Sequence, residues 1–225
     1  MRKVDFKIYP TLVDSYYYFL SSEYMTEQEM IDRINRVELP PSEAMAKGSA
    51  MNNLIDSLLA GAIVTTGVKK KRSGETFEVY KTAHEGFTFE FDRRVVDEIL
   101  RVVKGSTTQV FSEAVLETMY GDVLLYGYCD FLWRNVMRDL KTTSRYTFPK
   151  YGTGFQHKCY LFTMRENGND VDTFDYVITD TRNVYLETYH WNEGMVNQML
   201  NQLNGLLEFI IQNQHLIKND KLFGK

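Results

Sequence analysis

The chain has 225 residues, 44% hydrophobic and 25% charged, the balance of a globular protein with enough chain for a sizeable core. Its formal net charge of −4 excludes a protein that coats nucleic acid by bulk positive charge, while leaving room for local basic groups. Two cysteines, Cys129 and Cys159, are too few for a four-cysteine zinc or iron–sulfur site and read as buried free thiols in a reducing compartment.

Along the chain, residues 11–20 (TLVDSYYYFL) are aromatic-rich and open a helix near Thr11 or Asp14. Between 22 and 36, Thr26 with Glu29 three residues on has the form of a capping box. Pro40-Pro41 breaks that helix, Ser42 caps the next, and the pattern predicts a helix from 43 to about 59 that ends near Gly61. Lys69-Lys70-Lys71-Arg72, followed by Ser73-Gly74, reads as a basic loop, either solvated or resting on a phosphate backbone. Segments 76–80 and 86–91 alternate as the strands of a hairpin. Residues 93–104 have helical spacing, and 109–117, 121–133 and 136–142 read as strands. A helix is predicted over 152–165 after the glycine-rich YGTG, then strands over 174–179 and 184–189, then an amphipathic helix from Glu193 to about 216. The order is mixed α/β. No apolar run reaches 18 residues, which predicts a chain that does not cross a membrane and works in the cytoplasm.

The run GYCDFLWRNVMRDLKTT, residues 127–143, carries the chemistry. A two-residue turn at Arg134-Asn135 would face Trp133 with Val136 and set Asp130 directly opposite Asp139. Cross-strand neighbours lie roughly 4.5–5.5 Å apart at Cβ, so two carboxylates there repel each other unless a cation sits between them. Asp139 and Lys141 are two residues apart and leave the strand on one face. Two acids and an ammonium converging on one point suit a hard divalent ion with a charged group beside it for a phosphate. On the following helix, Gln156 and Tyr160 share a face, able to touch a nucleic-acid backbone or to brace the acids. Asn52 and Asp56 share a face of the helix after Ser42. Glu113 is either a further acid near the site or an outward-facing strand residue. His84, His157 and His190 have no zinc spacing, and no phosphate-binding Gly-x-x-x-x-Gly-Lys-Ser/Thr loop occurs.

Taken in order, Lys47-Gly48-x-x-x-Asn52-x-x-x-Asp56, Gly127-x-x-Asp130, Asp139-Leu140-Lys141 and Gln156-x-x-x-Tyr160 resemble the PD-(D/E)XK nuclease superfamily, in its RecB-like and phage-exonuclease-like branch, over about residues 47–160. The resemblance implies an α/β restriction-endonuclease-like core, a mixed central β-sheet flanked by α-helices with the acids at one sheet edge. It implies a single nuclease domain over 1–225, with a core of about 42–190 against which N-terminal helices and a C-terminal helix pack. Asp130 would be the principal metal-binding carboxylate and Asp139 the second, with the backbone carbonyl of Leu140 a further ligand and Asp56 the acid of the first motif. Lys141 would orient or activate the attacking water, and Gln156 and Tyr160 would position the DNA strand or the lysine. The implied cofactor is Mg²⁺, with Mn²⁺ as an alternative. Asn52 stands where the branch often has His, and its carbonyl oxygen suits Mg²⁺ better than softer metals. The missing cysteine quartet separates the chain from the iron–sulfur-bearing members. The implied function is metal-dependent hydrolysis of DNA phosphodiester bonds, by an exonuclease or structure-directed endonuclease of recombination, repair or phage DNA processing. Its setting would be a bacterium or phage-infected bacterial cell. DNA is the expected partner, with Lys69, Lys70, Lys71 and Arg72 as candidate phosphate contacts. A separate helicase or recombination protein and a homo-oligomer are compatible with this reading. The alternative is a nucleic-acid-binding protein of the same fold with weak or lost catalysis.

Overall fold

A computed structural model describes residues 4–40 and 42–224; Pro41, half of the expected Pro-Pro break, lies outside the described residues. The first half of the chain forms β1 (Phe6–Ile8), α1 (Pro10–Ser21), α2 (Glu27–Ile34), α3 (Glu43–Leu59), β2 (Thr66–Lys70), β3 (Thr76–His84), β4 (Phe87–Asp92) and α4 (Arg93–Val103). The second half forms β5 (Thr107–Thr118), β6 (Gly121–Trp133), β7 (Val136–Thr142), α5 (Gln156–Glu166), β8 (Thr173–Thr179), β9 (Val184–His190) and α6 (Gly194–Gln212).

Local chemistry sets the helix starts. The capping box of α2 is reciprocal: the Glu29 amide donates to Thr26 Oγ1 (3.2 Å) and the Thr26 amide to Glu29 Oε2 (2.7 Å). Ser42 Oγ accepts from the Met45 amide and fixes the first turn of α3. Helix α5 starts at Gln156, later than the expected 152, because the YGTG segment turns before the helix begins. The expected basic loop is a correction: Lys69 and Lys70 lie on β2, which pairs antiparallel with β3 (Lys69↔Phe77, Lys70↔Thr76). Exposed lysines are compatible with a sheet edge, which charge protects from further pairing.

The central sheet is mixed and flanked by helices. Strand β5 runs antiparallel along almost the whole of one edge of β6, from Thr107↔Leu132 to Thr118↔Gly121. The other edge of β6 is shared. Parallel β1 takes 123–125 and antiparallel β7 takes 131–133. The sheet therefore forks, and 126–130 of β6 have no strand beside them on that edge. Beyond β7 come parallel β8, joined through the crossover helix α5, and antiparallel β9. On one face, Met137, Phe174, Tyr176 and Ile178 pack with Leu161 and Met164 of α5. On the other, Phe131, Leu140 and Val177 pack with Ala50, Leu54 and Ile55 of α3 and Ile99 of α4. A third cluster joins β1, α1 and α6 around Ile8, Leu12 and Leu203. Among the described residues, no helix is long and apolar enough to cross a membrane.

Candidate active site

The two-residue turn at Arg134-Asn135 forms, with Trp133 facing Val136 and Arg134 at φ 54°. Backbone pairing between β6 and β7 nevertheless stops at Phe131↔Arg138, one step short of Asp130 and Asp139. The expected direct cross-strand pair is therefore opened. In its place the Asp130 carboxylate enters the gap and accepts the Leu140 amide through Oδ2 at 2.9 Å. Cys129, fully buried, donates its Sγ–H to the Arg138 carbonyl at 3.1 Å and ties the same opening from the other side. The β5–β6 ladder also omits the pair at this level, passing from Thr108↔Phe131 to Val110↔Cys129. The omitted β5 residue, Gln109, has φ 51°, a left-handed conformation that costs a non-glycine residue of order 1 kcal/mol or more. Asp130 thus sits where regular pairing fails on both sides of its strand, and its carboxylate is held by an amide rather than by the ladder.

Strand alternation sends Asp139 and Lys141 out on one face, as their spacing predicts. The Lys141 ammonium lies 2.6 Å from Asp139 Oδ2. That oxygen is buried and makes no hydrogen bond of good geometry, so the ion pair leaves its lone pairs partly unused. Lys141 also donates to Gln156 Oε1 at 2.8 Å, and Gln156 in turn donates through Nε2 to Thr11 Oγ1 at 3.1 Å. A chain of contacts therefore runs Thr11–Gln156–Lys141–Asp139, from α1 through α5 to β7. Beside it, Asp14 of α1 accepts the Phe155 amide at the start of α5.

The electrostatics follow from crowding acids into a partly dry fork. Burial, then the Asp139 charge, push the Asp130 carboxyl up to about 7, against the opposing Leu140 hydrogen bond and Lys141 charge; Asp56 adds a further upward push. Burial also raises Asp56, with a Gln109 side-chain hydrogen bond opposing it. Asp14 is raised by burial, and Lys141 is close enough to counter part of that. For Lys141 burial acts downward, but the Asp139 charge and hydrogen bond and the Asp130 charge outweigh it, so the ammonium is held above its ordinary range.

The structure thus brings Asp56, Asp130, Asp139, Lys141 and Gln156 together. Asn52 is half-buried one turn before Asp56 on α3. The contact shown by Leu140 is its amide, whereas the sequence pointed to its carbonyl. Tyr160 is a correction where nucleic-acid contact is concerned. It is 6% exposed, its hydroxyl donates to the Tyr128 carbonyl at 2.7 Å, and its ring closes over Gly127, where a Cβ would stand 2.9 Å from that hydroxyl. Tyr160 braces β6 beneath the fork. Gln156 is also buried and serves the lysine from inside. Glu113 is exposed and points outward. His157 is buried with its ring against Tyr189 and its Nδ1 near the Tyr176 hydroxyl. Lys69 pairs with Glu90 and Lys71 with Glu75, which leaves less free charge in the 69–72 cluster than its sequence suggests. Thr11 and Asp14 read only as a helix start, and Gln109 only as part of a strand, none of them as neighbours of the acids. Their role depends on how α1 docks on α5 and on one backbone angle.

No family model and no curated protein matches the chain. Among solved structures it is similar to SSO0001, with 12% identity and a TM-score of 0.45 over 92% of this chain and 79% of that one. It is also similar to Rai1 of Scheffersomyces stipitis, with 13% identity and a TM-score of 0.35 over 97% of this chain and 63% of that one. For S. pombe Rai1 in complex with 3'-FADP the identity is 14% and the TM-score 0.27, over 75% of this chain and 63% of that one. The chain thus spans less than two thirds of the length of Rai1.

What the site can do follows from its own side chains. Among the described residues no three or more His, Cys, Asp and Glu side chains close around a point, which does not fit a closed all-protein metal cage. Two mutually repelling carboxylates and an under-used buried oxygen on Asp139 fit an ion that takes one or two carboxylates and keeps its waters, as Mg²⁺ does.

Proposed function

We propose that the chain is a Mg²⁺-dependent nuclease of the PD-(D/E)XK type that hydrolyses DNA phosphodiester bonds. In this reading 1–225 form one nuclease domain on a restriction-endonuclease-like core, acting as an exonuclease or structure-directed endonuclease in recombination, repair or phage DNA processing. The observation that carries it is the fork, where burial and the Asp139 charge push the Asp130 carboxyl up, the Leu140 amide donates to Asp130 at 2.9 Å, and Lys141 lies 2.6 Å from Asp139. Holding like charges together has a cost that a folded protein avoids unless the site uses it.

Asp130 and Asp139 would hold the ion, with Asp56 and Asn52 of α3 completing its surroundings. When bound, a divalent ion supplies charge for the developing negative phosphate and lowers the pKa of a water. The residues of the chain do the rest. Lys141, fixed by Gln156 and Asp139, presents a point charge to the scissile phosphate and orients the water. Gln156 holds the lysine from a second side, and Thr11 keeps Gln156 in place. Labelled linear DNA in Mg²⁺ tests this. Wild type should degrade it, and Asp139→Asn should not while melting as a folded protein. Undiminished cleavage by Asp139→Asn would remove that carboxylate from the site.

A further inference from the structure

Beside the acids, at the carboxyl ends of the parallel neighbours β7 and β8, lies an open cleft of about 580 Å³. Its walls are Lys47 of α3, Thr142 and Ser144 at the end of β7, and Thr181 and Arg182 after β8, with Asp180 at the margin. In α/β sheets this is the crevice where ligands settle. Two features mark it as more than a surface dip. First, neither Lys47 nor Arg182 has an ion-pair partner among the described residues, whereas Lys69, Lys71, Lys81, Arg93 and Arg94 each face a carboxylate. Second, Thr142 Oγ1 is buried without a hydrogen-bond partner, a donor held dry at the wall of the cleft.

The one acid there keeps its charge, so Lys47 and Arg182 outnumber it by one, and its oxygens are engaged by the turn rather than by either cation. Asp180 Oδ1 accepts the Arg182 and Asn183 amides (2.9 and 2.8 Å), and Oδ2 accepts from Asn183 Nδ2 and the Tyr185 hydroxyl (3.3 and 3.1 Å). Those bonds hold the 180–183 turn, with Thr181 at φ 71°, and so aim Arg182. The Thr143 hydroxyl is likewise spent, donating to the Arg145 carbonyl at 3.0 Å.

We propose that this cleft binds a phosphate of the nucleic-acid strand, separate from the phosphate that meets Asp130, Asp139 and Lys141. The ligand class is a phosphate oxyanion, taken by Lys47, Arg182 and the unpartnered Thr142 hydroxyl. Thr142 ends β7 one residue past Lys141 and Ser144 follows two residues later, so at about 3.3 Å per residue the cleft begins roughly 3 Å along the strand from the lysine. By strand alternation Thr142 shares the face of β7 that Leu140 turns to α3, so the cleft lies past the end of the strand from the lysine, on its α3 side. The proposal rests on the nuclease reading for its ligand, but binding without metal tests it independently of cleavage.

The measurement is fluorescence anisotropy of labelled single-stranded oligonucleotides in EDTA, for wild type, the double variant Lys47→Ala/Arg182→Ala, and Thr142→Val. The strands carry a 5′-phosphate, a 5′-hydroxyl or a 3′-phosphate, and a circular strand competes. The double variant should bind about ten-fold or more weakly, with the salt slope reduced by about 1.4, two contacts at about 0.7 each. Thr142→Val should keep or raise the melting temperature, since an unsatisfied hydroxyl is removed, and still weaken binding several-fold. A loss equal on all strands, the circle included, identifies a backbone phosphate; a loss confined to one phosphorylated end identifies a terminal phosphate. Wild-type affinity and salt slope in the double variant would overturn the proposal. If wild type cleaves nothing yet this pattern of binding appears, the cleft stands and the nuclease reading fails; cleavage with unaltered binding gives the reverse.

Discussion

Asp130 is a carboxylate set where its charge is disfavoured. Burial and Asp139 push it up to about 7, and one amide hydrogen bond is its compensation in the protein. Asparagine at that position keeps an oxygen to accept the Leu140 amide and loses the repulsion. Asp130→Asn should therefore be more stable than wild type in EDTA at pH 8, by up to about 4 kcal/mol in urea unfolding, since each tenfold loss of acidity on folding is about 1.4 kcal/mol and the carboxyl rises from 3.8 to about 7. Mg²⁺ should stabilise wild type and leave the variant unmoved. An Asp130→Asn protein less stable than wild type in EDTA would show that the carboxylate is not in conflict there. Gln156 acts on Lys141 from the inside. Its replacement by alanine removes one of the two contacts that fix the ammonium, and should slow cleavage by about 10- to 100-fold while leaving the fold melting as one transition, as loss of a supporting contact around a metal site does. An unchanged rate would separate Gln156 from the chemistry.

Helix α5 shows how one element serves both stability and site. Its first residue holds Lys141, its fifth braces β6 through the Tyr128 carbonyl, and between them His157 is 1% exposed against Tyr176 and Tyr189. Burial, and then the neighbouring Lys158 charge, lower His157 to about 3 from an ordinary 6.5. The folded-state pKa is depressed, so the unfolded chain takes up the proton first as pH falls. The stability tied to neutral His157 is complete above pH 6.5 and drains away between 6.5 and about 3, at up to about 1.4 kcal/mol per pH unit. His157→Phe keeps a ring against Tyr189 and should flatten this slope in unfolding measured from pH 7 to 4. A slope equal to wild type would place the acid sensitivity elsewhere. At this scale most of the architecture was legible. The bounds of β6 and β7 follow from their alternation and the Arg134-Asn135 turn, and α2 and α3 follow from their caps. Strand β1 was not, since three residues carry no period, and β2 was hidden by its lysines, which read as a loop until the ladder with β3 is seen.

For the whole molecule, the site is a property of the sheet's fork more than of any motif. β5 occupies one edge of β6, β1 and β7 divide the other, and the acids stand where the division leaves the backbone unpaired. Spacing along the chain pointed to Asp130, Asp139 and Lys141 as neighbours because strand periodicity is local. It could not reveal Thr11 and Asp14, more than a hundred residues from the strands they serve, or the left-handed Gln109 that lets the strand open. For Tyr160 the sequence left a nucleic-acid contact and a bracing role both open, because a buried hydroxyl and an exposed one look alike in sequence. The measurement that tests the whole most directly is cleavage of end-labelled linear and closed circular DNA, single- and double-stranded, in Mg²⁺ and in EDTA, by wild type beside Lys141→Ala. Mg²⁺-dependent loss of linear DNA that disappears in EDTA and in Lys141→Ala is the predicted result, with intact circles marking an end-dependent enzyme. DNA left whole by wild type in Mg²⁺, or cut equally well by Lys141→Ala, would contradict it.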